Sequence, residues 1–357
     1  MAKRKTSETR PSGEEELEGT ARLHPRFSGA LLGHSAAEQT FLRAFHTGSL
    51  HHAWLLTGEQ GIGKATFAYR AARFLLSGAA SGAGPADTLS VSSSHAATRQ
   101  IAAGAHPSLF VLGGTLAQAS SASIGVEEVR KLRSFLSLTS PGGWRAMIVD
   151  PTNNLTIASA NALLKAIEEP PPGTVFFLIS HGAASVMPTI RSRCVKLAFR
   201  PLNLADFSET VFTACESAEL EVPNGGALKT LHGLSAGSPG KALDFIAGGL
   251  LPLAGTLDRI IEGLPRLDFG LVHGLIQSAG GARNSRTFTR LCDLIEGRIE
   301  ELARHKLSGS CGAGAAWAEL WRHMRERRLE LEALNLDKGA FLLSVFSDME
   351  RIARKPS

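Results

Sequence analysis

The apolar rhythm of this chain begins at Phe27 and changes character near Pro201. Between those points, short continuous apolar runs alternate with amphipathic stretches. "HAWLLT" (52–57), "SLFVL" (108–112), "WRAMIVDP" (144–151), "TVFFLIS" (174–180) and "VKLAF" (195–199) read as buried strands. Helical spacing appears in "AEQTFLRAFHTG", which places Phe41, Leu42 and Phe45 on one face before a stop at Gly48. It recurs in "KATFAYRAARFLL", with Phe67, Ala71, Ala72 and Leu75 in a stripe, and in "VEEVRKLRSFLSL", with Val126, Val129, Leu132, Phe135 and Leu136 inward. "TIASANALLKAIEEPPP" reads as a helix capped by Thr156 and ended by Pro170. Apolar strands alternating with helices predict a parallel sheet covered on both faces.

Beyond Pro201 the strand-like runs vanish. Helical stripes take over in "LADFSETVFTACESAEL", "PGKALDFIAGG", "TFTRLCDLIEGRIEELARHK", "GAAWAELWRHMRERRLELEAL" and "GAFLLSVFSDMERIARK". The expected organisation is an α/β domain over residues 27–200, a small helical module over 201–250 and a larger helical domain over 251–357. Residues 1–26 carry few large apolar side chains and a basic-then-acidic run, so a disordered tail is expected there. Residues 77–105 are rich in Ala, Gly and Ser and read as a long flexible connection with one short helix near 96–103. His95 and His106 in and beside it lack companion ligands and read as solvated loop histidines.

Composition narrows the classes further. The 357 residues suffice for two or three domains, and 43% hydrophobic content suits a soluble globular chain. The net charge of +5 permits contact with nucleic acid without arguing for it. The basic helical patch Arg130, Lys131 and Arg133 reads as a solvated face. Cys194, Cys215, Cys292 and Cys311 have no CxxC spacing, so neither a zinc knuckle nor a redox dithiol is readable, and reduced thiols in a cytoplasmic protein are the simplest account. The first residues lack the apolar core of a secretory signal, and no apolar run has transmembrane length, so no membrane role is expected.

Candidate chemistry centres on "GEQGIGKAT" (58–66), between a strand and a helix. In such a phosphate-binding loop, glycines expose backbone N–H groups, a lysine neutralises charge, and a Ser or Thr hydroxyl ligates magnesium. Gly58, Gly61, Gly63 and Lys64 hold the required positions, but Ala65 stands where the hydroxyl belongs. Thr66 is turned roughly 100° away along the helix. The loop is compatible with a bound nucleotide or with a turn that merely packs strand on helix. The second motif of such sites is a strand ending in Asp-Glu. "MIVDP" keeps Asp150 and substitutes Pro151 for the carboxylate that would polarise water, a role worth roughly 10² to 10⁴ in rate. Glu168 and Glu169 lie at the far end of the next helix and read as a solvated helix end. In "PTIRSRC" (188–194), Arg193 could reach a neighbour's γ-phosphate or simply stabilise a helix terminus. In "GSPGKAL" (237–243), spacing does not decide whether Lys241 faces a nucleotide or water.

Together, "HHAWLLTGEQGIGKAT", "GAHPSLFVL", "GGWRAMIVDP", "SANALLKAIEEPPPGTVFFLIS", "TIRSRC" and "LSAGSPGKAL" resemble the AAA+ clamp-loader family over roughly residues 31–245. The resemblance implies a P-loop AAA+ α/β domain, a helical lid and an all-α collar that joins neighbours in a ring. Within that family the residues look like a non-motor subunit of a bacterial DNA polymerase III clamp loader. Its partners would be motor and delta-type subunits, with the sliding clamp reached indirectly and primed DNA through the complex. By position, Arg193 becomes an arginine finger serving the adjacent ATPase in trans. Ser180 falls at the first sensor position, completing a degenerate nucleotide-binding set of Gly58, Gly61, Gly63, Lys64, Thr66, Asp150 and Ser180. Gly240 falls where motors carry a second sensor arginine. ATP binding without turnover is compatible with this, and no cofactor is required. Many relatives carry a four-cysteine zinc module after the first helix; the corresponding stretch 77–105 has no cysteine, so no zinc is expected. The alternative is a catalytically active AAA+ ATPase.

Overall fold

The computed structural model describes residues 22–78, 87–113, 123–137, 143–182, 186–279, 285–307, 311–334 and 336–354. Its first compact unit runs to Leu243 and its second from Asp244. The first unit is built on five parallel strands: β1 (Ala53–Thr57), β2 (Leu109–Gly113), β3 (Arg145–Asp150), β4 (Thr174–Ser180) and β5 (Val195–Ala198). They lie in the order β2-β3-β4-β1-β5. Each strand coincides with an apolar run legible in the sequence, and β4 is buried along its whole length.

Alternation along the strands fills two cores. Trp54, Leu56, Ile148, Phe177 and Ile179 face one way, with α1 (Ser35–His46), α2 (Lys64–Leu76) and α3 (Ala96–Ala102). Leu55, Met147, Val149, Phe176 and Leu178 face the other, with α4 (Val126–Ser137), α5 (Ile157–Glu168) and α6 (Pro188–Arg191). Period-two side-chain alternation is what lets one sheet serve both layers. The cap foreseen at Thr156 forms, its side chain accepting from Ser159 N–H.

The connection after α2 is more anchored than its composition suggested. Residues 79–86 lie outside the described residues, but Leu89 is buried in the first core. His95 caps α3 by accepting from Ala97 N–H at 3.2 Å, and His106 accepts from Ser108 N–H at 3.2 Å. Burial pushes the His106 imidazole below its usual range, so it is not a freely solvated histidine. Leu89, Val91 and Ile101 together anchor residues 87–105 to the first core.

Residues 22–26, expected as part of the tail, belong to a strap over α2; residues 1–21 lie outside the described residues. Arg73 donates through Nη1 to the Ser28 carbonyl at 2.7 Å and through Nη2 to the Arg26 carbonyl at 2.9 Å. Arg70 donates to the Gly29 carbonyl and pairs with Glu38 at 2.7 Å in a largely buried ion pair. Hydrophobic patterning is silent on a strap held by its backbone carbonyls.

Helices α7 (Leu204–Ser217) and α8 (Gly225–Leu234) complete the first unit, and the boundary falls within α9 (Pro239–Ala247). The second unit is helical: α10 (Leu251–Glu262), α11 (Phe269–Ala279), α12 (Ser285–Leu307), α13 (Cys311–Leu334) and α14 (Lys338–Ala353). Its core includes Leu291, Ile295, Met324, Leu342 and Phe346. Arg328 bridges Asp293 at 2.6 Å and Glu296 at 2.9 Å. No helix among the described residues is long and apolar enough to cross a membrane.

Candidate functional site

The glycine loop leaves β1 and enters α2 with Gly58, Gly61 and Gly63 at φ of 146°, 79° and 105°. Those dihedrals let the chain turn tightly at the start of the helix, the geometry a phosphate cradle requires. Lys64, the first residue of α2, is 3% exposed. Its ammonium donates to the Gly58 carbonyl at 2.7 Å and to the Glu59 carbonyl. Burial pushes its pKa down to about 8, opposed by the charges of Asp150 and Glu59.

Asp150 ends β3. Burial raises its carboxyl to about 6, while the Lys64 charge pulls the other way. Pro151 follows it, and the turn Thr152–Asn154 brings in an amide absent from the sequence-based candidates. Asn153 Oδ1 accepts from Ser180 Oγ at 3.0 Å and from His181 N–H at 3.1 Å. Ser180, fully buried at the end of β4 and in register with Thr57, also has its hydroxyl 2.7 Å from the Gly182 carbonyl. His181 is driven down to about 4 by burial first, then by the Lys64 and Lys241 charges.

The turn that opens α9 lies directly on the loop. Ser238 Oγ donates to the Gln60 carbonyl at 2.8 Å, and Gly240 N–H donates to the Gly61 carbonyl at 2.8 Å. Lys241 Nζ pairs with Glu59 Oε2 at 2.9 Å, a hydrogen bond that holds the Glu59 carboxyl below its ordinary range. A methyl group on Gly61 would come within 2.6 Å of Ser238 Oγ and 2.9 Å of the Lys241 backbone nitrogen. Lys241 therefore faces the loop's carboxylate.

From the other side, His34 Nε2 donates to the Ile62 carbonyl at 2.7 Å, and its ring lies 4.7 Å from that of Phe199. Burial lowers the pKa of this imidazole. His34, Ser238, Asn153 and Glu59 were not singled out from sequence. Ser238 stood inside the quoted "GSPGKAL", and a hydroxyl before a helix-opening proline was the available signal. His34 gave none, because its bond to Ile62 depends on the tertiary fold.

A loop of this type implies a magnesium nucleotide, and the donor set can be tested against one. Ala65 presents a methyl packed on the first core, and Thr66 is half-buried on the next helical position. Position 151 holds a proline, and the lysine is engaged by two loop carbonyls. Backbone turn and Asp150 are in place; the metal hydroxyl and the water-activating carboxylate are not. This set does not fit a nucleotide held for hydrolysis.

Arg193 makes its bonds to residues outside the loop. It follows α6, is half-exposed, donates through Nη1 to the Thr189 carbonyl at 3.0 Å and pairs through Nη2 with Glu168 Oε1 at 2.9 Å. Glu168 is thus a partner of the arginine and not merely a solvated helix end. Arg130 pairs with Glu127 on an exposed helix face, in keeping with the solvated reading of that patch.

Comparison with known proteins places these features. A family profile described as "DNA polymerase III, delta subunit" matches residues 33–203. DNA polymerase III subunit delta' of Pseudomonas aeruginosa is 35% identical over 217 residues, which span 60% of this chain and 61% of that protein. The subunit delta' of Escherichia coli is 32% identical over 285 residues, spanning 75% of this chain and 80% of the relative. The DNA polymerase III subunit gamma/tau of Mycobacterium tuberculosis is 30% identical over 273 residues, 71% of this chain and 45% of that protein. The matched length, the parallel P-loop sheet and the retained glycine loop agree: this chain belongs to the delta' family of DNA polymerase III subunits.

Proposed function

We propose that the chain is a non-motor subunit of a clamp loader, helping to place a sliding clamp on primed DNA and lending Arg193 to the active site of a neighbouring ATPase subunit. The observation that carries this reading is the combination at the loop. The phosphate-binding turn is kept, while Ala65, Pro151 and Gly240 remove the metal hydroxyl, the water activator and the second sensor arginine. A general acid–base contribution alone is worth roughly 10² to 10⁴ in rate, so this chain turns over no ATP by itself. Any nucleotide in its own loop would be a structural ligand. The reading calls for no zinc and no other cofactor.

In this assignment each residue has a physical task. Gly58, Gly61 and Gly63 shape the turn, and Lys64 ties its carbonyls together. Ser238 and Gly240 fasten the helical module to it. Arg193, on the half-exposed rim beyond α6, offers guanidinium donors to charge that develops on a neighbour's phosphate. Such fingers contribute on the order of 10³ to 10⁵ in rate. The relatives named gamma/tau suggest the kind of motor subunit that would sit beside it. A delta-type subunit, the sliding clamp and primed DNA complete the proposed hetero-oligomer, working in the cytoplasm.

The test is ATP turnover by the purified chain, alone and mixed with motor subunit, clamp and primed DNA, with and without Arg193→Ala. Negligible turnover alone and a depressed rate in the variant mixture are expected. Brisk hydrolysis by the lone chain would favour the active-ATPase alternative, and an unaffected mixture would remove the finger.

A further inference from the structure

Two stretches far apart in sequence, "IEEPPP" and "RSRC", meet in space. Glu168 is the last residue of α5, and Arg193 lies just past α6, whose Ile190 shares the second core with Ala166 and Ile167 of α5. The guanidinium is held at both terminal nitrogens: Nη1 donates to the Thr189 carbonyl at 3.0 Å and to Ser192 Oγ at 3.4 Å, and Nη2 meets Glu168 Oε1 at 2.9 Å. One anchor is backbone and fixed by the short helix. The other is a carboxylate whose chain position is set by the end of α5 and by the three prolines that follow.

A guanidinium has five N–H donors in a rigid fork. The donors on Nη1 and one on Nη2 are directed inward by these contacts, which fixes the plane of the group and leaves the remaining donors for another acceptor. The pair is 42% and 40% exposed, so it is solvent-screened and contributes little to folding. Its consequence lies instead in the order of a long side chain. An unanchored arginine at a rim samples many rotamers and loses that freedom when it docks; one already held has less to lose. Because the carboxylate's grip is weak in water, it also yields when a more highly charged phosphate group approaches.

We infer that Glu168 is a positioning residue for Arg193, holding the guanidinium in the orientation in which it meets the neighbour's phosphate. This rests on the finger reading of Arg193 given above. Glu169, one residue on and at the helix C-cap, does not share the task.

The test is a double-mutant cycle in the full complex of this chain with motor subunit, clamp and primed DNA, reading kcat and KM for ATP hydrolysis. Arg193→Ala is expected to lower kcat about tenfold or more. Glu168→Ala should lower kcat about three- to tenfold, with KM within twofold and an unchanged urea midpoint of the isolated chain. Glu168→Gln, which keeps a hydrogen-bond acceptor without the charge, should fall between. In the Arg193→Ala background, Glu168→Ala should add nothing, the mark of residues acting through one another. If Glu168→Ala is silent while Arg193→Ala is not, Glu168 has no positioning role and the finger stands. An equal loss from Glu168→Ala in both backgrounds would mean a general structural effect and would overturn the inference. A silent Arg193→Ala would remove the finger reading and this inference with it.

Discussion

Gly240 N–H donates to the Gly61 carbonyl at 2.8 Å, so the first turn of α9 is hydrogen-bonded to the phosphate-type loop itself. A side chain at either position would have to push the two backbones apart. A Cβ on Gly240 would lie 2.7 Å from Gly61 Cα and 2.9 Å from its carbonyl oxygen. At this position glycine is a packing requirement.

Gly240→Ala should accordingly destabilise the first unit by about 1–3 kcal/mol, the usual cost of overpacking. Urea denaturation followed by intrinsic tryptophan fluorescence and by far-UV circular dichroism measures it. An unchanged midpoint would show that the turn shifts away freely and that the contact has no structural weight.

Asp150 gives a pH signature. Its carboxyl is raised to about 6 by burial, so between pH 3.8 and 6 the folded chain holds a proton that the unfolded chain has released. The favourable contribution is full below 3.8 and is lost as pH climbs through 6. Asp150→Asn, which resembles the protonated acid, should raise stability at pH 7.5 by about 1–3 kcal/mol relative to its effect at pH 4. Lys64 works in another window. Its lowered pKa of about 8 means that stability recovers as pH rises from 8 towards 10.5. A variant effect of Asp150→Asn that is the same at both pH values would rule out the buried, ionised carboxylate as its source.

Ser180 occupies the first sensor position of the family resemblance, yet its hydroxyl is committed to Asn153 and Gly182. Ser180→Ala should cost about 1–3 kcal/mol by leaving buried acceptors under-satisfied. ATP hydrolysis in the mixture with motor subunit should stay within twofold of the parent chain, once the assembled fraction is matched. A selective fall in kcat would instead give the hydroxyl a role beyond structure.

Arg73 holds the strap through the Pro25, Arg26 and Ser28 carbonyls, and burial pulls its pKa down to about 10. Arg73→Ala should destabilise the chain by about 2–4 kcal/mol, from lost charge-assisted hydrogen bonds and carbonyls left without their donor. It should also speed tryptic cleavage after Arg22 or Arg26 under native conditions, where local opening governs access. Equal cleavage rates in both proteins would mean that the strap is held by other contacts.

The sheet was legible because each strand is a continuous apolar run, and a fully buried parallel sheet demands such runs. The loop was legible because Gly58, Gly61, Gly63 and Lys64 act through a local turn. What sequence could not show were bonds whose partners are distant: His34 to Ile62, Ser238 to Gln60, Asn153 to Ser180 and Glu168 to Arg193. The strap escaped for a different reason. Its anchors are backbone carbonyls, so residues 22–26 needed no apolar side chains to be held. Likewise, Leu89, Val91 and Ile101 tie residues 87–105, whose Ser and Ala content reads as loose, to the first core.

The strand order carries a consequence for biosynthesis. β1 is the first strand to leave the ribosome, yet its register partners are Phe176 opposite Ala53 and Val195 opposite Trp54. Both of its edges wait for about half of the chain to be made, and contacts of such long separation form slowly. A nascent chain stalled before Thr174 would present an unpaired apolar strand to its surroundings, so translation of this subunit creates a window in which chaperone capture competes with aggregation.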